Sequence, residues 1–144
     1  DELRSLFEAM AKTMVRENGI GLAAPQVGRD LRFLIAQPGG PYGPKIFPFV
    51  NPEIVFHSTE RDGFNEGCLS LPDITADVQR PVRIRVRYQD LDGQEQEIED
   101  EGLLARIVQH EADHLDGVLF VDHLSLLRRK LIAKKLRALE KRST

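Results

Sequence analysis

Residues 103–115 read LLARIVQHEADHL. Leu103, Leu104, Ile107, Val108, Ala112 and Leu115 recur at three- and four-residue spacing, which predicts a helix with a broad apolar face. Gly117 stands where a helix-ending glycine belongs. Within the helix, His110-Glu111-Ala112-Asp113-His114 forms an HExxH motif. His110 and His114 fall one turn apart on the same face, so both imidazoles can reach one metal ion. Glu111 lies beside them, at a distance that allows it to handle a proton on the attacking water. The competing reading is a charged patch on a helix face. It is the weaker one, because His110 and His114 project beside Leu103 and Ile107, where unligated imidazoles are poorly placed.

A metal needs a third protein ligand. The extended protease pattern HExxHxxGxxH is followed through Gly117 but finds Phe120 where it demands histidine, and His123 comes three residues late. The pattern that uses a downstream glutamate finds only Glu140, inside a basic segment. The remaining candidate is upstream, in Glu66-Gly67-Cys68-Leu69-Ser70. A lone cysteine is more often a small buried hydrophobe. Beside a glycine, and with a coordination position to fill, Cys68 is read instead as a ligand. One cysteine and two histidines leave the fourth tetrahedral position open, the arrangement of a catalytic site.

The 144 residues predict a single domain over 1–144, and 41% hydrophobic with 30% charged residues is an ordinary globular balance. No apolar run approaches the roughly 20 residues of a membrane-spanning helix. A single cysteine excludes an internal disulfide framework and suits a reducing compartment. No signal peptide is visible, and a chain beginning at Asp1 is expected to lack an N-terminal segment. The net charge of −3 conceals an asymmetry: residues 125–144 hold eight Lys or Arg against Glu140, for +7, so residues 1–124 carry −10. The basic segment is either a solvated helix face or a contact for something anionic, such as RNA.

Residues 1–18 predict a helix capped by Asp1, with Leu3, Leu6, Phe7, Met10 and Met14 on one face. Residues 19–28 are a glycine-punctuated loop, in which Gly19, Gly21, Ala23 and Ala24 let backbone approach a ligand closely and Gln26 offers an amide donor. Residues 31–36 predict a short strand, 37–48 a Pro- and Gly-rich loop, and 49–56 a strand interrupted near Pro52. The clearest strand is 82–89, where Val82, Ile84, Val86 and Tyr88 alternate with polar residues. Asp92-Gly93 turns it into a returning strand at 94–99. Residues 118–121 predict a further strand, and Ser125 caps a last helix. Strands and helices do not alternate regularly, so the class is α+β.

Three segments together, GIGLAAPQ at 19–26, EGCLS at 66–70 and QHEADHL at 109–115, resemble the peptide deformylase family in order and without gaps. The resemblance implies mainly antiparallel sheets wrapped around a central HExxH helix, with a C-terminal helix. It implies metal ligation by Cys68, His110 and His114, and Glu111 as the acid–base residue. Gln26 and the Leu69 N–H would hold the oxyanion. The backbone near Ile20 and Gly21 would pair with substrate like an added strand. Phe64, Leu103 and Ile107, with His110 in the wall, would take a methionine side chain. The implied reaction removes the formyl group from N-formyl-methionyl peptides and releases formate. Two departures are the residues usually found before the first helix and the absence of an arginine shortly after EGCLS. The second puts the hold on longer peptides in question, not the chemistry.

One thiolate and two imidazoles suit Fe(II), Zn(II), Co(II) or Ni(II) rather than Mg or Ca, and the resemblance favours Fe(II). Glu66, Asp113 and Arg80 are the candidates for orienting the ligands. His57 and His123 carry no partner signature. The expected partners are nascent formylated peptides, with ribosomal contact by Arg128, Arg129, Lys134 and Lys135. A monomer of the bacterial cytoplasm is expected, organellar targeting being left open by the N-terminus. Two rivals stand beside this reading: a small zinc peptidase indifferent to Cys68, and a ribosome-binding module that keeps a metal only for stability.

Overall fold

A computed structural model of the chain describes residues 2–39, 45–68 and 71–118. Helix α1 (Glu2–Arg16) buries Leu6, Met10 and Met14 on its apolar stripe. Asn18 ends it in the left-handed region, with φ 58°, while the Gly19 N–H donates to the Met14 carbonyl. Seven strands follow: β1 (Gly21–Ala23), β2 (Phe33–Ala36), β3 (Phe47–His57), β4 (Arg61–Cys68), β5 (Leu71–Pro81), β6 (Ile84–Gln89) and β7 (Glu95–Asp100). Helix α2 (Leu103–Leu115) completes the described chain, and Gly117 takes φ 76° just beyond it.

Five strands form one antiparallel sheet in the order β1-β2-β3-β6-β7. β4 and β5 form a separate two-stranded sheet. The run Phe33-Leu34-Ile35-Ala36 is buried throughout because both faces of β2 are covered. Phe33 and Ile35 join Leu22 and the α1 residues in one core. Leu34 and Ala36 join Ala23, Phe49, Ile84, Val86, Ala105, Ile107 and Val108 in a second core under α2. Full burial of each large side chain contributes about 1.5–3 kcal/mol. The sheet therefore holds α2, and the HExxH motif on it, against a rigid floor.

The α+β class stands, with sheets packed around the HExxH helix. Several local expectations are corrected. Residues 19–28 are not all loop: residues 21–23 pair with β2, and Ala24–Val27 form a 3-10 turn. β3 starts at Phe47 and does not stop at Pro52. It passes the proline through a register shift between Val50 and Glu53, with Asn51 at φ 50°. β6 begins at Ile84, not Val82. β4 and β5 were not anticipated at all, although Ile74, Ala76, Val78 and Arg80 are buried in strict alternation along β5. The inward arginine in that register breaks the apolar pattern. The Asp1 cap, the strand at 118–121 beyond Val118, His123 and the helix from Ser125 lie outside the described residues.

Candidate active site

His110, Glu111 and His114 are all buried on one turn of α2. One donor atom from each lies within 4.8 Å of the others, and the two rings meet edge to face at 5.1 Å. Burying three polar groups together is costly unless each is satisfied. Part of that satisfaction comes from β4. Glu66 Oε1 lies 2.7 Å from His110 Nδ1, so Nδ1–H donates to the carboxylate and Nε2 is the nitrogen with a lone pair to offer.

Glu66 is itself held. Arg80 of β5 donates to both of its oxygens, at 2.7 and 2.9 Å, and reaches Asp113 at 2.9 Å. Burial pushes the Glu66 carboxyl up, but the hydrogen bonds and charges of His110 and Arg80 outweigh it and bring the pKa from 4.5 down to about 2. Arg80 is likewise pushed down by burial and raised on balance by Glu66 and Asp113. Glu66, Arg80 and Asp113, the three residues expected to orient the ligands, thus form one connected chain ending on His110.

A cavity of about 500 Å³ opens in front of this cluster. Ile20, Gly21, Gln26, Phe64, Leu103, Ile107, His110 and Glu111 all line it. His114 lies behind, its Nε2 3.9 Å from Glu111 Oε1. The β1 backbone passes so close to α2 that a Cβ on Gly21 would stand 2.6 Å from Glu111 Oε2 and 2.7 Å from Ile107 Cγ2. Gln26 Oε1 accepts the Ala23 N–H at 2.8 Å, which leaves Nε2 as the end of the amide that can donate. The backbone of Cys68 ends β4, two residues past Glu66. Its side chain and the whole of Leu69 lie outside the described residues. Glu17, Asn18, Asn65 and Arg106 also line the cavity and were missed from sequence. Arg106 was findable, since it stands four residues before His110 on the same helix face.

The donor chemistry suits a borderline divalent metal. His110 has its outer nitrogen anchored, His114 comes to the same face, and a carboxylate stands beside both. A helix-borne HExxH cluster at the wall of a substrate-sized cavity defines a metal-dependent hydrolase.

Residues 1–130 match the polypeptide deformylase family. A peptide deformylase of Brucella suis is 49% identical over 142 residues, covering 96% of this chain and 80% of the relative. One from Salinibacter ruber is 47% identical, covering 95% and 75%. Among solved structures, a variant of Arabidopsis thaliana peptide deformylase 1B superposes with TM-score 0.93 at 41% identity, covering 99% of this chain and 79% of that one. Plasmodium falciparum peptide deformylase gives 0.92 at 35%, covering 98% and 83%. The chain belongs to the peptide deformylase family. It is a metal-dependent hydrolase that removes the formyl group from the N-terminal N-formylmethionine of newly made polypeptides. No helix among the described residues is long and apolar enough to cross a membrane.

Proposed function

We propose that residues 1–144 act as one deformylase domain in which Cys68, His110 and His114 hold the metal and Glu111 moves the proton. The observation that carries this reading is the buried His110, Glu111 and His114 cluster, anchored through Glu66 at the wall of the cavity. A divalent ion held there supplies positive charge and brings the pKa of a water from ~15.7 toward ~7. Glu111 accepts the proton of the attacking water and returns it to the departing nitrogen. Gln26 Nε2 and the Leu69 N–H stabilise the negative charge that develops on the formyl oxygen. Loss of one such donor costs about 2.7–4 kcal/mol of barrier.

Among the described residues, β1 is an edge strand of the five-stranded sheet. Gly21 at its start and the preceding Ile20 line the cavity, and the substrate backbone pairs there as an added strand. Phe64, Leu103 and Ile107 receive the methionine side chain, with His110 in the wall. The native ion is Fe(II), which Zn(II), Ni(II) or Co(II) can replace. The enzyme works as a monomer in a bacterial-type cytoplasm, and the basic segment 125–144 touches the ribosome.

The test is formate release from a formyl-Met tripeptide, with metal content measured on each protein. Wild type releases formate, Cys68→Ala loses both metal and activity, and Glu111→Ala keeps its metal but not its turnover. An active Cys68→Ala protein that cuts internal peptide bonds points to a zinc peptidase instead. A metal-loaded wild type that binds ribosomes without releasing formate points to a binding module.

A further inference from the structure

The β4–β5 hairpin contributes the Phe64 wall of the cavity and the Glu66 anchor of His110, yet it shares no strand ladder with the five-stranded sheet among the described residues. It continues the β3–β6 pair through two backbone hydrogen bonds, from Ser58 N–H to the Arg83 carbonyl and from Val82 N–H to the Glu60 carbonyl. Beyond that junction, its place against α2 is set by side chains that cross the gap. Arg106, one helix turn before His110, makes four such contacts. Its Nη1 donates to the Asp62 carbonyl on β4 at 3.1 Å, and its Nη2 to the Val78 carbonyl on β5 at 2.6 Å. Its Nε lies 3.2 Å from Glu66 Oε2. Its guanidinium stacks on the Phe64 ring, 5.2 Å from the centroid.

We propose that Arg106 is a positioning residue: from the HExxH helix it clamps both strands of the hairpin and holds Phe64 as the outer wall of the methionine pocket. This rests on the assignment of Phe64, Leu103 and Ile107 to that pocket. Phe64 is 49% exposed, so packing alone does not fix its ring. A planar guanidinium under the ring supplies both an attractive face and a fixed height. Phe64, Leu103 and Arg106 also line a second cavity of about 180 Å³ on their far side. They are thus a partition, and a partition that shifts enlarges the pocket. The consequence is a loss of discrimination against side chains larger than methionine.

Arg106→Met keeps the aliphatic stem and removes the donors. It is expected to raise KM for a formyl-Met tripeptide about tenfold, with the larger share of the loss in KM rather than kcat. The ratio of kcat/KM for formyl-Met over formyl-Phe peptides falls by a similar factor, while metal content stays at the wild-type level. Arg106→Lys, which retains a cation over Phe64, recovers part of the selectivity. Phe64→Leu, which removes the ring and leaves the clamp, shows the same loss of selectivity and covers the case in which Arg106→Met does not fold. Affinity for the product peptide Met-Ala-Ser, read by calorimetry, drops in Arg106→Met and reports on the pocket without turnover. Unchanged KM and selectivity in Arg106→Met, retained selectivity in Phe64→Leu, or a loss confined to kcat or metal content overturns the proposal. A wild type that releases no formate overturns the deformylase reading instead, and the peptide affinities then still decide the role of Arg106.

Discussion

Gly21 shows how a single missing side chain serves the chemistry. The β1 backbone lies against α2 with no room for a methyl group, since both Glu111 Oε2 and Ile107 Cγ2 fall within 2.7 Å of where it would stand. The two neighbours differ in how they can give way. The carboxylate is the end of a flexible side chain and can swing aside cheaply, whereas Ile107 is packed in the core under α2. Gly21→Ala is therefore expected to displace Glu111 and cost turnover more than stability. A misplacement of about 1 Å lowers kcat by roughly a hundredfold. Overpacking costs about 1–3 kcal/mol, read by thermal melting. Turnover equal to wild type in a folded Gly21→Ala protein would show that Glu111 does not need that space.

Among the elements, the β6–β7 hairpin rests on one carboxylate. Asp90 Oδ1 accepts the N–H of Asp92 and of Gln94, and Oδ2 accepts Gln96 Nε2 at 3.2 Å. The hydrogen bond from Gln94 leads in holding the Asp90 pKa below its ordinary value, against a smaller opposing push from burial. A depressed carboxylate stabilises the fold above the unfolded pKa of ~3.9 and loses that contribution as pH falls through the lower folded value. Asp90→Ala should therefore melt below wild type at pH 7. The gap should close as the pH is lowered past about 4. A gap that stays constant with pH would mean the charge is irrelevant to the turn.

The elements differ in how plainly the sequence announces them. α2 was legible to the residue because the helical period and the HExxH spacing agree over one stretch. The β6–β7 pair was legible because its alternation is clean and Asp92-Gly93 marks the turn. β4 and β5 were not. Gly63, Asn65 and Gly67 lower the strand propensity of one arm. Arg80 occupies a buried position on the other because it pairs with Glu66 and Asp113. The residues that hide the hairpin are those that connect it to the site. β1 escaped notice for a related reason: three small residues pair with β2, and their glycine exists for Glu111. The Glu66, Arg80 and Asp113 chain was visible as candidates but not as a connected path, since that path needs β4, β5 and α2 side by side.

At the scale of the whole molecule, the sheet carries α2 on one face and α1 on the other at β1 and β2, so the helix bearing the cluster is fixed before any substrate arrives. The other charge pattern belongs to residues 125–144, with +7 against −10 in the rest. If that segment meets ribosomal RNA, its removal abolishes co-sedimentation with ribosomes, and raising salt weakens the wild-type contact. Co-sedimentation that survives the deletion would assign the contact elsewhere. X-ray absorption at the metal edge of the loaded protein reads the donor set itself. One sulfur together with nitrogen and oxygen neighbours is predicted, the sulfur at about 2.3 Å if zinc is bound. That sulfur signal should vanish in Cys68→Ala, and a wild-type spectrum with no sulfur scatterer would contradict the account.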